Sequence, residues 1–221
     1  SNCKFPDELP PTPAWLESAK KSGRVFRPLK PEHGWLEMFA GDPNYSQQMT
    51  YPLAIHPPGK EDKPIAIDKR VFLPWLDQSY HVRFVRYEAF KNAYLLALDD
   101  TSGRGRDNGS FWWLYPDGTT EQILTYGRSG NWEGVRLNGV IPIKNGLLAF
   151  SGDTRVRTDK SGLYRKSPDG ELDLVARGWG GGYSVSPDGC MVAFGIDPRG
   201  FRIEGPRRLQ LHVLNACKQW R

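Results

Sequence analysis

One pattern recurs three times in this chain and restricts the fold more than any other feature: a turn, an apolar strand centred on Ala, a polar loop, a second strand, and a Pro-Asp-Gly-type turn. The first copy reads Lys91-Asn92-Ala93-Tyr94-Leu95-Leu96-Ala97-Leu98, then Phe111-Trp112-Trp113-Leu114-Tyr115-Pro116-Asp117-Gly118. The second reads Lys144-Asn145-Gly146-Leu147-Leu148-Ala149-Phe150, then Leu163-Tyr164-Arg165-Lys166-Ser167-Pro168-Asp169-Gly170. The third reads Ser186-Pro187-Asp188-Gly189-Cys190-Met191-Val192-Ala193-Phe194, then Leu209-Gln210-Leu211-His212-Val213-Leu214-Asn215. The pivots Ala97, Ala149 and Ala193 stand 52 and 44 residues apart, and the step from Ala to the turn Asp is 20 residues in each of the first two copies.

A period of about 40–50 residues with four short strands per unit suits a β-propeller blade. The third copy, with Ser186-Pro187-Asp188-Gly189 leading into Met191-Val192-Ala193-Phe194, resembles the WD-like propeller repeat of TolB-type bacterial proteins. The resemblance covers about residues 82–221 and is clearest in that copy. It implies a fold and no particular activity, since propellers serve many unrelated functions. Second strands are expected at 95–100, 147–152 and 191–196, third strands at 110–115, 162–167 and 209–214, and fourth strands at 121–126 and 172–177. After Asn215 too little sequence follows for another fourth strand, and an unpaired edge is a liability. Arg24-Val25-Phe26-Arg27-Pro28-Leu29, whose Pro suits an edge position, is expected to close that last blade from the N-terminal side. The sequence thus predicts an all-β fold, a small four-bladed β-propeller over 23–221. Its blades fall near 35–81 (strands near 35–39, 50–55 and 65–73), 82–127, 132–178, and 181–221 with 24–29. Residues 1–22 read as an extended N-terminal arm with one helical turn.

Composition agrees with a compact, loop-rich β protein. The 24 Gly and 18 Pro among 221 residues break helices, while eight Trp, nine Tyr and ten Phe supply apolar surface that disordered chains lack. No apolar run approaches the ~18 residues of a membrane span, so no transmembrane segment is expected. The net charge of +5 is compatible with an anionic partner and equally with none. The three cysteines, Cys3, Cys190 and Cys217, form no CxxC and no Cys/His cluster, so no metal site is implied. Cys190 and Cys217 share the last repeat, where a disulfide and two buried free thiols are equally good readings. Cys3 suits the lipidated first residue of a mature bacterial lipoprotein, with Ser1-Asn2 as a cloning remnant. A periplasmic or exported location, with a lipid anchor at Cys3, is the resulting expectation.

Blade geometry turns the charge total into a claim about place. Alternate connections of antiparallel strands lie at opposite ends of each blade. One end carries tight Lys-Asn and Pro-Asp-Gly turns. The other carries long loops with Arg104 and Arg106, Arg155 and Arg157, and Arg199, Arg202, Arg207 and Arg208. The same end receives Arg128, Trp132 and Trp179, the last beside Gly178, Gly180, Gly181 and Gly182. Arg and Trp are enriched at binding hot spots, and glycines permit close backbone approach by a partner. The residues expected to bind are therefore Arg104, Arg106, Arg128, Trp132, Arg155, Arg157, Trp179, Arg199 and Arg202. A bland reading competes: each loop holds its own acids (Asp99, Asp100, Asp107; Asp153, Asp159; Asp197, Glu204), which would pair internally and bind nothing.

Catalytic signatures are absent. No GxSxG, HExxH, P-loop or dinucleotide fingerprint occurs, and Gly178-Trp179-Gly180-Gly181-Gly182 lacks the Lys and Ser/Thr of a phosphate cradle. Among His33, His56, His81 and His212, only His212 falls in a repeat, mid-strand, where a structural histidine is expected. Asp99-Asp100, Glu133 and Asp153 are candidates for paired-carboxylate chemistry; a calcium site at Asp99, Asp100 and Asp107 lacks EF-hand spacing. Trp112-Trp113 is expected to send one ring to the core and one to a neighbouring blade, not to stack bases. Acids mixed into every loop argue against nucleic acid. The sequence therefore points to a non-catalytic binding protein of exported bacterial type, without a cofactor, recognising a protein or anionic ligand through the Arg/Trp face. An inhibitor or immunity protein is one form of this. The alternative is a hydrolase or lyase acting on an acidic saccharide.

Overall fold

The computed structural model describes residues 12–40, 50–60, 62–68, 80–100, 109–126, 137–151, 161–166, 172–200 and 205–218. Within them the chain is all-β, with four antiparallel sheets, one short helix and one 3-10 turn (Ala89–Lys91). The helix, α1, spans Ala14–Lys21, two turns where the sequence suggested one. The first sheet is β1 (Val25–Pro28), β2 (Trp35–Ala40), β3 (Thr50–His56) and β4 (Ile65–Ala66). The second is β5 (Tyr80–Glu88), β6 (Ala93–Asp100), β7 (Gly109–Leu114) and β8 (Thr120–Tyr126). The third is β9 (Leu137–Ile143), β10 (Gly146–Ser151), β11 (Gly162–Lys166) and β12 (Leu172–Arg177). The fourth has three strands, β13 (Trp179–Val185), β14 (Met191–Asp197) and β15 (Gln210–Asn215). Each sheet is a simple meander, its strands paired in chain order.

The repeated turns work as their residues require. At Pro116-Asp117-Gly118, the Asp117 carboxylate accepts from the Thr119 amide and hydroxyl, and Gly118 takes φ +86°. At Ser186-Pro187-Asp188-Gly189, the Asp188 carboxylate accepts from the Cys190 amide and the Ser186 hydroxyl, while Gly189 takes φ +74°. Both hairpins leave their strands in a register that alternates side chains between two sheet faces.

Those faces stack. Leu36, Met38 and Ile55 of the first sheet pack on Leu96, Trp112 and Leu114 of the second. The other face of the second sheet, with Leu95, Phe111 and Trp113, meets Val140, Ala149 and Tyr164 of the third. Ile141, Leu148 and Phe150 of the third then meet Val192, Phe194 and Ile196 of the fourth. Trp112 and Trp113 thus serve two different inter-sheet cores, both as packing residues. The first strands of three sheets are also joined: Tyr183 donates its hydroxyl to the Val140 carbonyl at 2.9 Å, and the Arg86 guanidinium lies 4.1 Å over the Tyr183 ring.

The first sheet's outer face is covered by α1. Leu16 and Ala19 bury against Phe26, and Trp15 stacks on His56 at 5.3 Å between centroids. Beneath the helix, Glu37 accepts a two-pronged hydrogen bond from Arg24 and a third from His56.

One expectation is overturned. The segment 24–29 does not complete the last sheet; β1 pairs with β2, from Val25 opposite Met38 to Pro28 opposite Trp35. The reason is proximity along the chain. Only residues 29–34 separate β1 from β2, and the Leu29 amide donates to the Gly34 carbonyl to close that hairpin. Loop-closure entropy grows with separation, so a neighbouring strand captures β1 before a distant edge can. Among the described residues, the outer edge of β15 pairs with no strand.

Candidate functional site

Most of the residues expected to bind, Arg104, Arg106, Arg128, Trp132, Arg155, Arg157 and Arg202, lie outside the described residues, as do Asp107, Glu133, Asp153, Asp159 and Glu204. Trp179 and Arg199 are described, and the fold brings them together. Antiparallel pairing sets Trp179, the first residue of β13, opposite Asp197, the last of β14.

Asp197 organises this corner. It is fully buried, and each carboxylate oxygen accepts two hydrogen bonds. Oδ1 accepts from the Arg199 amide at 3.1 Å and Nε at 3.0 Å; Oδ2 accepts from Arg199 Nη2 at 2.8 Å and the Arg208 amide at 2.9 Å. The Arg199 guanidinium, joined by those backbone amides, holds the carboxyl well below the usual carboxylate range. Arg199 also donates to the Pro206 carbonyl. Its planar fork is therefore spent inside the protein, as the bland reading of these loops proposed for its acid. Arg207 donates to the Gly200 carbonyl at 2.7 Å and lays its guanidinium 4.0 Å over the Trp179 ring. The corner is a preorganised cation-on-aromatic pair with a locked anion beneath it.

The glycines flanking Trp179 have a structural reason. A Cβ on Gly180 would run into the Phe150 ring of the third sheet, so glycine here admits the neighbouring sheet rather than an outside partner. Gly178, at φ +132°, donates its amide to the Ser161 carbonyl at 2.9 Å and would press a side chain into the Asp197 carbonyl.

The register extends this corner into a surface. In β14, Val192, Phe194 and Ile196 face the third sheet, which leaves Met191, Ala193 and Gly195 on the other side with Trp179 and Gly181, where Asp197 lies buried beneath Arg199. On β15 the same outward side carries Leu211 and Val213, 77% and 64% exposed, with Leu209 half exposed just before the strand. Sequence reading passed over this stripe because an edge strand was expected to be covered.

A second concavity lies at the opposite end, where only tight turns were expected. A cleft of about 570 Å³ opens between the second and third sheets, lined by Phe90, Lys91, Trp113, Glu121, Lys144 and Lys166 among others. Lys91 sits 4.0 Å from Glu121 and 6.0 Å from the Trp113 ring centre. The cations come from two tight turns and one strand end, so no linear motif announces them.

The histidines have structural partners. His33 hydrogen-bonds the Tyr94 hydroxyl, His56 bonds Glu37, and His212 stacks on Phe194 with 13° between planes. The side chain of His81 lies outside the described ones. Among the described residues no three His, Cys, Asp or Glu side chains gather into a metal-binding group. Cys190 and Cys217 are joined by a disulfide that ties the start of β14 to the turn after β15. No helix among the described residues is long and apolar enough to cross a membrane. No family model matches this chain, and no curated protein matches it.

Proposed function

We propose that this protein is a non-catalytic binding module of β-propeller type that recognises a protein or anionic ligand through its Arg- and Trp-bearing loop end. The observation that carries the reading is the corner at Trp179, where a guanidinium rests on the indole and the buried carboxylate of Asp197 is already neutralised. Such a corner offers cationic and aromatic surface at little further entropic cost, because Arg207 and Trp179 are held before any partner arrives. The stacked meanders support the propeller reading. The Cys190–Cys217 disulfide supports an oxidising compartment, and so an exported or periplasmic protein acting as an inhibitor or immunity partner.

The test is retention on immobilised heparin and on immobilised polyglutamate, read as the salt concentration at elution. The Arg155→Glu, Arg157→Glu double variant should elute at clearly lower salt than the wild type with an unchanged melting temperature. A wild type that passes through both matrices, or a double variant that elutes with it, refutes the proposal.

A further inference from the structure

Three sheets have both faces covered, the first by α1 and the second sheet, the second and third by their neighbours. Among the described residues the fourth is covered on one face only, and its last strand ends the ladder. The backbone of β15 has a definite polarity across its width. The Ala216 amide donates to the Cys190 carbonyl at 2.7 Å, which makes that pair a hydrogen-bonded one. Alternation along the antiparallel register then makes Leu214, His212 and Gln210 the inward-bonded residues. The amides and carbonyls of Leu211, Val213 and Asn215 point away from the sheet. The residues with outward backbone groups include the two with the most exposed apolar side chains, Leu211 and Val213.

We propose that the outer edge of β15, with the apolar face beside it, takes up an extended strand from a partner protein that carries alternating apolar residues between acidic ends. Main-chain bonds to Leu211, Val213 and Asn215 supply the docking, and Leu211, Val213 and Met191 receive the apolar side chains. The charge requirement comes from the rims. Arg207 and Arg208 stand before β15 and Lys218 after it, while of the acids nearby Asp197 is buried and neutralised and Asp188 is engaged in its own turn by the Ser186 hydroxyl and the Cys190 amide. Those rims also disfavour a second copy of this chain. A two-fold antiparallel pairing of β15 with itself sets the arginines at 207 and 208 near Lys218 at both ends, cation against cation. The proposal shares Arg207 with the corner described above, but its variants lie on β15 and leave Arg207, Trp179, Arg155 and Arg157 unchanged, so its failure and that of the proposed function are distinguishable.

The experiment uses the full chain and two synthetic, end-blocked peptides, Asp-Glu-Val-Thr-Ile-Thr-Val-Glu-Asp and its counterpart with Lys at the four acidic positions. Amide hydrogen exchange at Leu211, Val213 and Asn215 is followed with and without peptide, and affinity is read by fluorescence anisotropy. The acidic peptide should slow those three amides and bind at least about tenfold more tightly than the basic one. Val213→Pro should weaken it by about tenfold or more, since the lost N–H points outward and serves no bond within the sheet. Leu211→Lys, which leaves the backbone intact, should also weaken it and serves if the proline variant does not fold. Absence of binding, equal affinity for both peptides, or unchanged affinity in a folded variant overturns the proposal. So does protection of these amides without peptide: if independent of protein concentration, the chain covers its own edge; if growing with concentration, a second copy does.

Discussion

Replacing Cys190 and Cys217 by serine should lower the melting temperature by about 10 °C. The bond joins residues separated by 27 positions, and closing a loop of that size in the unfolded chain corresponds to about 3.5 kcal/mol of stability. For a chain of 221 residues each kcal/mol shifts the midpoint by roughly 2–4 °C, which gives the figure. Little of the loss should arise in the native state. The β14–β15 ladder pairs six residues from Met191–Asn215 to Ile196–Gln210, and the Ala216–Cys190 backbone bond holds the same end of the hairpin. Both cysteines are half-buried, so serine hydroxyls can reach water. The assay is a thermal scan of the oxidised protein, the reduced protein and the double variant, with thiol alkylation before reduction to count free cysteines. A fall below about 2 °C in the double variant, or alkylation of all three cysteines without reductant, refutes the reasoning.

Two further outcomes follow from packing and charge. Glu88 is buried beside Arg86, and burial pushes its carboxyl above the ordinary value of 4.5. The folded state therefore holds that proton more tightly than the unfolded one. The stability this provides is complete below the unfolded value and is lost as pH rises through the folded one. Glu88→Gln should accordingly gain on the wild type in melting temperature as pH increases from 4 to 8; parallel curves would rule this out. Leu16 of α1 is fully buried over the first sheet, so Leu16→Ala should cost about 2–5 kcal/mol in denaturant unfolding. A loss under about 1 kcal/mol would show that the helix does not seal that face.

The strand plan was legible because its causes are local. Ala-centred apolar runs, as in β6, and Asp and Gly at fixed places in the turns each act within a few residues. Three copies of one arrangement then imply stacked meanders, since a lone sheet of this kind leaves an apolar face exposed. The candidate surface was legible only in its corner. Trp179 and Arg199 could be assigned to one end of a blade from loop lengths alone. Pairing of the loop arginines with Asp197 was one of two readings open from sequence; that it holds at Arg199, and that Arg207 is the cation over the indole, depended on which rotamers fit a shared space. The glycines at 178 and 180 look like an invitation to a ligand until the third sheet is in place against them.

What the sequence alone determined is the class and order of elements, because hydrogen-bonded turns and short apolar strand runs are written in neighbouring residues. Only the tertiary structure decided which edge β1 joins. Val25-Phe26-Arg27-Pro28 suits any open edge by composition; the short 29–34 hairpin, the Arg24–Glu37 fork and the seat of Phe26 under α1 select β2. That choice is a competition between distant partners for one strand, and its consequence, an apolar β15 edge with no described strand beside it, has no signature in the β15 sequence itself.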